Sequence, residues 1–581
     1  MYSRLIFGLI LLLSLAAFPA FAQDPTPSPT PFASDKQGIT PETIDGVPAI
    51  APNFSSDERV LPDLGRVGVD MAAQRPMTVR EAVALALENN KDIEVTRKNV
   101  QIAEFELLAA RGFFQPRLVG QTYFERSTVP NVSIFSTNRD TTQGAIVGTG
   151  SIQGYIPRLG TVISATANNQ RVTTDNPISI LSPQSNASVG FSVSQPLLRG
   201  RGFDQGRRTI EIAKRNLSLT DAQFRQRSID IVTNVQRAYW DLTFALRNLQ
   251  VQRDGVRDAK QQLAHNRRLV EEGQLAPIDI VAAETQVALY EQSVFDALNI
   301  VTQSENGLKN LISPNRFDAV WNEALVPVDA VDLKAPVISL NDAITAAMEN
   351  RPELELNEVQ KGINEIDRRF FRNQTLPQVD LVASYTSAGV GGSLNPDFQA
   401  PFPLPCTTDP NSPACQQQQA NLQVLTGNPY SGVFSNRYPT YRVGVTINIP
   451  LFGDKTAKAL LGRARVEGER IATQREQVEQ TIQVEVRNAI QAVRTAEARL
   501  RSAAISRENS ARQYESEQRK LDAGQSNIYA VLERQTALMT ARSTELRAQT
   551  ELNKAIADLE RATGNALKAN DIETTLRNPL K

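Results

Sequence analysis

One histidine, His265, and two cysteines in 581 residues leave few of the side chains that hold transition metals. No nucleophile-and-base pattern and no phosphate-cradling glycine loop stands near that histidine, so the sequence reads as non-enzymatic, with no cofactor and no metal. An excess of one charge is also missing: Lys and Arg number 62 against 63 Asp and Glu, which gives no reason to expect nucleic acid as a partner. Beyond residue 22 no run approaches the ~18 consecutive apolar residues that a membrane helix requires, so any insertion into a bilayer must use β-strands. The one long apolar run, Leu5 to Ala17, follows Arg4 and precedes Ala20 and Ala22. It is too short to span, and residues 1–22 read as a secretory signal.

Proline is unevenly spread. It crowds residues 23–62 among Ser, Thr and Asp, a composition that buries no core, and residues 23–76 are read as a linker. It is absent from Gly206 to Glu272 and from Lys455 to Asp522, two stretches that read as very long helices. The chain also repeats itself. Thr78 to Glu94 matches Ser339 to Glu355, aligning Ala82 with Ala343 and Asn89 with Asn350 at an offset of 261, which also pairs Pro116 with Pro377. Val189-Gly190 and Pro196-Leu197 pair with Val443-Gly444 and Pro450-Leu451 at an offset of 254, and Gly273-Gln274 with Gly524-Gln525 at 251. Two units in the same order, residues 77–330 and 331–567, follow from this register, with a tail over 568–581.

Each unit holds a short amphipathic helix (Val79 to Leu87; Leu340 to Met348), a second helix ending near Phe114 or Phe371, then strand, loop and strand, a very long helix, a glycine-containing turn and a helix of intermediate length. Val235, Leu242, Leu249, Val256, Leu263 and Val270 stand seven apart, a coiled-coil stripe. Val232, Tyr239 and Leu246 complete the seam, but Arg253, Lys260 and Arg267 take the next places, so its far half is thinner. Tyr441, Val443, Val445, Ile447 and Ile449 alternate with polar residues or glycine, as do Val379, Leu381, Ala383 and Tyr385, and Val189, Phe191 and Val193. Such runs fit tilted transmembrane strands with lipid on one side and water on the other. Four strands cannot close a barrel, since small barrels begin at about eight, so the chain must oligomerise. A second topology adds a hairpin from Gly144 to Tyr155 and Thr161 to Asn168.

The tandem units, the Gln195-Pro196-Leu197 signature with its partner Ile449-Pro450-Leu451, and the turns EEGQLAPIDIVAAETQ and DAGQSNIYAVLERQ together resemble the TolC-like outer membrane factors over about residues 77–567. The resemblance implies a mixed α+β fold in which three protomers each give four strands to a twelve-stranded outer-membrane barrel, continued by a long periplasmic α-helical coiled-coil barrel. It implies a homotrimer in outer-membrane lipid that serves as exit duct for a periplasmic adaptor (membrane fusion protein) and an inner-membrane pump, in efflux or in type I secretion. It puts adaptor contacts at Gly273, Gln274, Leu275, Gly524, Gln525 and Ser526, and gate acids at Asp279 and Glu533. A second family acid position holds Ala530, and family Arg and Tyr positions hold Ser526 and Leu521, so the closing network differs in detail. Cys406 and Cys415, in a Pro-rich stretch between two strands, are expected to form a disulfide in an exterior loop. The alternative function is a periplasmic coiled-coil adaptor or structural protein without a pore.

Overall fold

The computed structural model describes residues 65–130, 139–331, 334–400, 402–451 and 453–572. The signal, most of the Pro-rich linker and the last nine residues of the tail lie outside them. Strand β1 (Asp70–Met77) falls inside the stretch read as linker, and leads into α1 (Val79–Asn89) and α2 (Lys91–Arg111). Four strands follow: β2 (Arg117–Pro130), β3 (Asp140–Ile156), β4 (Thr161–Thr174) and β5 (Leu181–Pro196). Next come the 67-residue helix α3 (Gln205–Glu271), α4 (Ile278–Ile312) and β6 (Glu323–Pro327).

The second unit repeats this order with α5 (Leu340–Asn350), α6 (Pro352–Gln374) and β7 (Gln378–Leu394). Between its strands stand three short helices, α7 (Pro405–Thr408), α8 (Pro413–Leu425) and α9 (Pro429–Phe434). Strand β8 (Tyr438–Asn448), the 68-residue helix α10 (Lys455–Asp522), α11 (Ile528–Ala562) and α12 (Ala566–Ala569) complete it. Each long helix is about 100 Å long at 1.5 Å per residue. Among the described residues no helix is long and apolar enough to cross a membrane.

The duplication reaches down to helix caps. The Thr78 hydroxyl accepts from the Glu81 amide at 3.1 Å, and Ser339 accepts from Asp342 at 3.1 Å, so each unit starts its first helix with the same side-chain cap. Those helices bury alanines, Ala82 and Ala86 in one and Ala343 and Ala347 in the other. Each unit then builds its own core on its long helix. In the first, Val232, Val235, Tyr239 and Leu242 meet Val301, Leu308 and Ile312. In the second, Ile482, Val486, Ile490 and Val493 meet Leu552 and Leu559. Ion pairs tie the units together, with Arg208 on Asp367 at 2.7 Å, Lys554 on Asp241 at 2.8 Å and Arg561 on Asp230 at 3.0 Å.

Two small anchors hold the start of the body. β1 and β6 pair in parallel, and the Tyr239 hydroxyl donates to Asp329 Oδ2 at 2.8 Å while accepting from the Val328 and Asp329 amides. Burial pushes that phenol well above its ordinary pKa. Glu305, fully buried, lies 2.9 Å from Arg66 and 3.5 Å from Lys309 and accepts from the Leu325 amide at 2.8 Å. Burial lowers the Lys309 pKa against the pull of Glu305.

The main sheet is antiparallel in the order β2-β3-β4-β5-β7-β8, so six strands stand where four per protomer were expected. The added pair is the β3–β4 hairpin of the second topology. Its signal is weak in the sequence because Gly144, Gly148, Gly150 and Gly154 occupy alternate positions of β3, and glycine hides the apolar half of an alternating pattern.

Candidate functional site: helical tips and an amphipathic sheet

Both long helices end in the same backbone device. Gly273 has φ +74° and Gly524 φ +68°, a left-handed conformation that a Cβ disfavours. In the first tip the Gly273 amide donates to Val270 O at 3.0 Å and Gln274 to Leu269 O at 2.8 Å; in the second Gly524 donates to Leu521 O at 2.9 Å and Gln525 to Lys520 O at 2.8 Å. This is a Schellman closure, written twice. Gln274 and Gln525 are exposed, and Leu275 and Ser526 half-buried. The tips then diverge. The Asp279 carboxylate accepts from the Ala276 amide at 3.2 Å, whereas in the second tip Asn527 caps α11 by accepting from Ala530 at 2.9 Å. The Ser526 hydroxyl donates to Glu517, and this bond, followed by Lys520, holds the Glu517 carboxyl below its usual range.

Glu533 is exposed on the wall of a groove of about 830 Å³ that also carries Tyr529, Leu532, Thr536, Ala282 and Gln286. Across it Gln286 donates to Thr536 at 3.2 Å, which joins α4 to α11. Asp279 lies one turn before Ala282 on α4 and does not line the groove. Leu521 is buried, so the position that carries Tyr in the resemblance serves here as an apolar plug of the tip.

Sequence reasoning missed three features near the tips. His265 Nε2 lies 3.3 Å from Asp522 of the other long helix. Asn266 and Gln535 are buried although polar, and the Asn266 Nδ2 and the Gln535 amide atoms find no hydrogen-bond partner. Arg253, Lys260 and Arg267, in seam positions, gave the only warning that this end is packed less well.

The sheet has two different faces. A row across all six strands, Leu118, Ile152, Ala165, Phe191, Tyr385 and Tyr441, joins residues in direct register on one face. Leu118 is 80% exposed, Phe191 56% and Tyr441 71%, a run of apolar surface that water does not favour. On the other face the register runs Arg117, Gln153, Ser164, Ser192, Ser384 and Arg442. Cys406 and Cys415 are bonded to each other, with Cα atoms 4.5 Å apart, in the connection between β7 and β8. Part of that connection rests on the sheet: an added Cβ at Gly389 would meet Pro429 O at 1.9 Å, and the Ser387 hydroxyl donates to Val433 O at 2.7 Å. Among the described residues no group of His, Cys, Asp and Glu is arranged to hold a metal ion.

No curated protein sequence matches the chain. Among solved structures, CusC, whose folding and transmembrane channel formation are accompanied by conformational changes, superposes with a TM-score of 0.59 at 15% identity, covering 84% of this chain and 92% of its own. The CmeC outer membrane channel of Campylobacter jejuni gives 0.58 at 15%, covering 84% and 86%. The open state of the MtrE outer membrane channel of Neisseria gonorrhoeae gives 0.56 at 17%, covering 84% and 89%. These likenesses establish the fold. The sequence model of the outer membrane efflux protein family matches residues 153–313 and 343–565, one stretch in each repeat and together more than half of the chain. The chain therefore belongs to the outer membrane efflux protein family.

Proposed function

We propose that this protein is the outer-membrane exit duct of an export machine, a homotrimer whose sheets form a barrel in lipid and whose helices continue it as a periplasmic tube. The observation that carries the reading is the sheet, in which one register row is apolar and the row beside it on the opposite face is polar across all six strands, joined directly to helices about 100 Å long. A soluble protein has no use for that apolar face; a barrel wall does. The family is one of efflux channels rather than enzymes. The duct stores no energy. Its closed end opens when a partner binds the open state better than the closed one.

The tips are where that partner is proposed to act. Gly273, Gln274 and Leu275 in one turn, and Gly524, Gln525 and Ser526 in the other, present the contact surface to a periplasmic adaptor coupled to an inner-membrane pump. Asp279 and Glu533 form the acidic part of the gate. The buried Gln535 amide and the Asn266 Nδ2, which lack hydrogen-bond partners among the described residues, support a gate at this end, because a polar atom that gains nothing by burial is released at little loss when helices part. The test is fractionation followed by heated and unheated electrophoresis. A trimer in the outer membrane that dissociates only on heating supports the duct, and a monomer released with the periplasm overturns it in favour of an adaptor.

A further inference from the structure

We propose that all six strands are wall of the barrel, and that the open edge of β2 in one protomer pairs with the open edge of β8 in the next, so that the trimer closes with eighteen strands. The inference rests on the duct reading and specifies its bore.

Three observations carry it. The register rows cross β3 and β4 without interruption, so the hairpin continues both the apolar and the polar face. β5 pairs with β4 and not with β2, so no four-strand subset keeping both strands that lead to helices α2 and α3 forms a continuous sheet. Finally, β2 and β8 are the two edges, every residue of β8 is exposed, and nearly every residue of β2 is. Unpaired edges of this length, 14 and 11 residues, have no stable place in lipid, where each open amide and carbonyl must be paired. β2 runs away from α2 and β8 runs back toward α10, so the two edges meet antiparallel, as every other pair in the sheet does. A second copy of this chain is thus the partner that both edges fit. Barrel diameter grows roughly linearly with strand number, so eighteen strands give a mouth about 1.5 times as wide as twelve.

Electron microscopy of the intact trimer in lipid nanodiscs counts the strands directly, with eighteen expected and twelve overturning the proposal. The biochemical arm uses cysteines in the full chain. Gln121→Cys on β2 is combined in turn with Arg442→Cys, Gly444→Cys and Thr446→Cys on β8, and at least one pair should give covalent dimers and trimers on non-reducing gels. Linkage of the β8 cysteines to Asn168→Cys on β4 instead, with none to Gln121→Cys, would place β2 and β3 outside the barrel and overturn it. In outer-membrane vesicles Ile152→Cys and Ile163→Cys should resist a membrane-impermeant maleimide at least tenfold more than Ser151→Cys and Ser164→Cys; equal labelling of all four contradicts the wall position. A heat-modifiable outer-membrane trimer with twelve strands would sink only the strand count, whereas a periplasmic monomer would sink the duct reading itself.

Discussion

At the scale of single residues, charge decides most of what can be tested. Glu305 serves Arg66, Lys309 and the Leu325 amide at once inside the body, so Glu305→Ala leaves two buried cations without their counter-charge and an amide without its acceptor. Removing one partner from a buried ionic cluster costs about 3–5 kcal/mol, and thermal unfolding should read that loss. Glu533 is exposed in a groove near the helical tips, and the proposed trimer would set three copies around one axis. At ~8 Å separation and an effective dielectric near 20, two such charges repel by about 2 kcal/mol before salt screening, enough to shape a gate without preventing assembly. Glu533→Gln should therefore lower cation selectivity with trimer yield unchanged, and adding Asp279→Asn should lower it further. Reversal potentials in asymmetric salt check this, and an unchanged value in the double variant returns both acids to an ordinary solvated helix face. Asp279 already has a local duty, since its carboxylate accepts from the Ala276 amide, so its single variant should loosen the first tip as well.

At the scale of elements, the tips and strands make separate claims. Gly524→Ala forces a Cβ into a left-handed residue at a strain of roughly 1 kcal/mol, which falls on the turn and not on the cores. Hydrogen exchange at the tip should quicken while the trimer persists. Glu517 in the same tip has its pKa lowered by Ser526, so its contribution is present above the unfolded carboxylate pKa and is lost as pH falls through the lowered folded value. Acid should loosen the second tip, and Ser526→Ala should weaken that dependence, leaving the part due to Lys520. On the barrel, Val445→Arg on the apolar face should cost about 2–4 kcal/mol and depress assembly, while Thr446→Arg on the polar face should assemble normally. Equal yields would show the faces to be misassigned.

The elements also show how far a sequence can be read. The long helices were legible almost to the residue, Gly206 to Glu272 against the observed Gln205–Glu271, because proline-free heptads and a closing glycine mark both ends. β7 and β8 were legible because their alternation is carried by large apolar side chains. β3 was not, since its glycines erase half of the alternation, and β1 was not, because a strand of Asp, Ala, Gln and Arg is fixed by its pairing with β6 rather than by its own pattern. Contacts distant in sequence, such as His265 with Asp522 or Arg561 with Asp230, depend on how helices pack and leave no local trace.

At the scale of the whole molecule, two copies of one unit have kept the same caps, cores and Schellman closures but not the same tips. The frame is duplicated because both halves must build matching columns and strands. The tips diverge in their capping, with Asp279 in one and Asn527 in the other, so the two surfaces proposed for adaptor contact differ within each protomer. The proposed duct encloses a path through the outer membrane. The most direct test is a planar bilayer recording on trimer purified from outer membranes. Discrete, cation-selective conductance steps that Glu533→Gln makes less selective are expected, and a correctly assembled trimer that inserts into the bilayer yet passes no ions under any applied voltage or salt would contradict a duct.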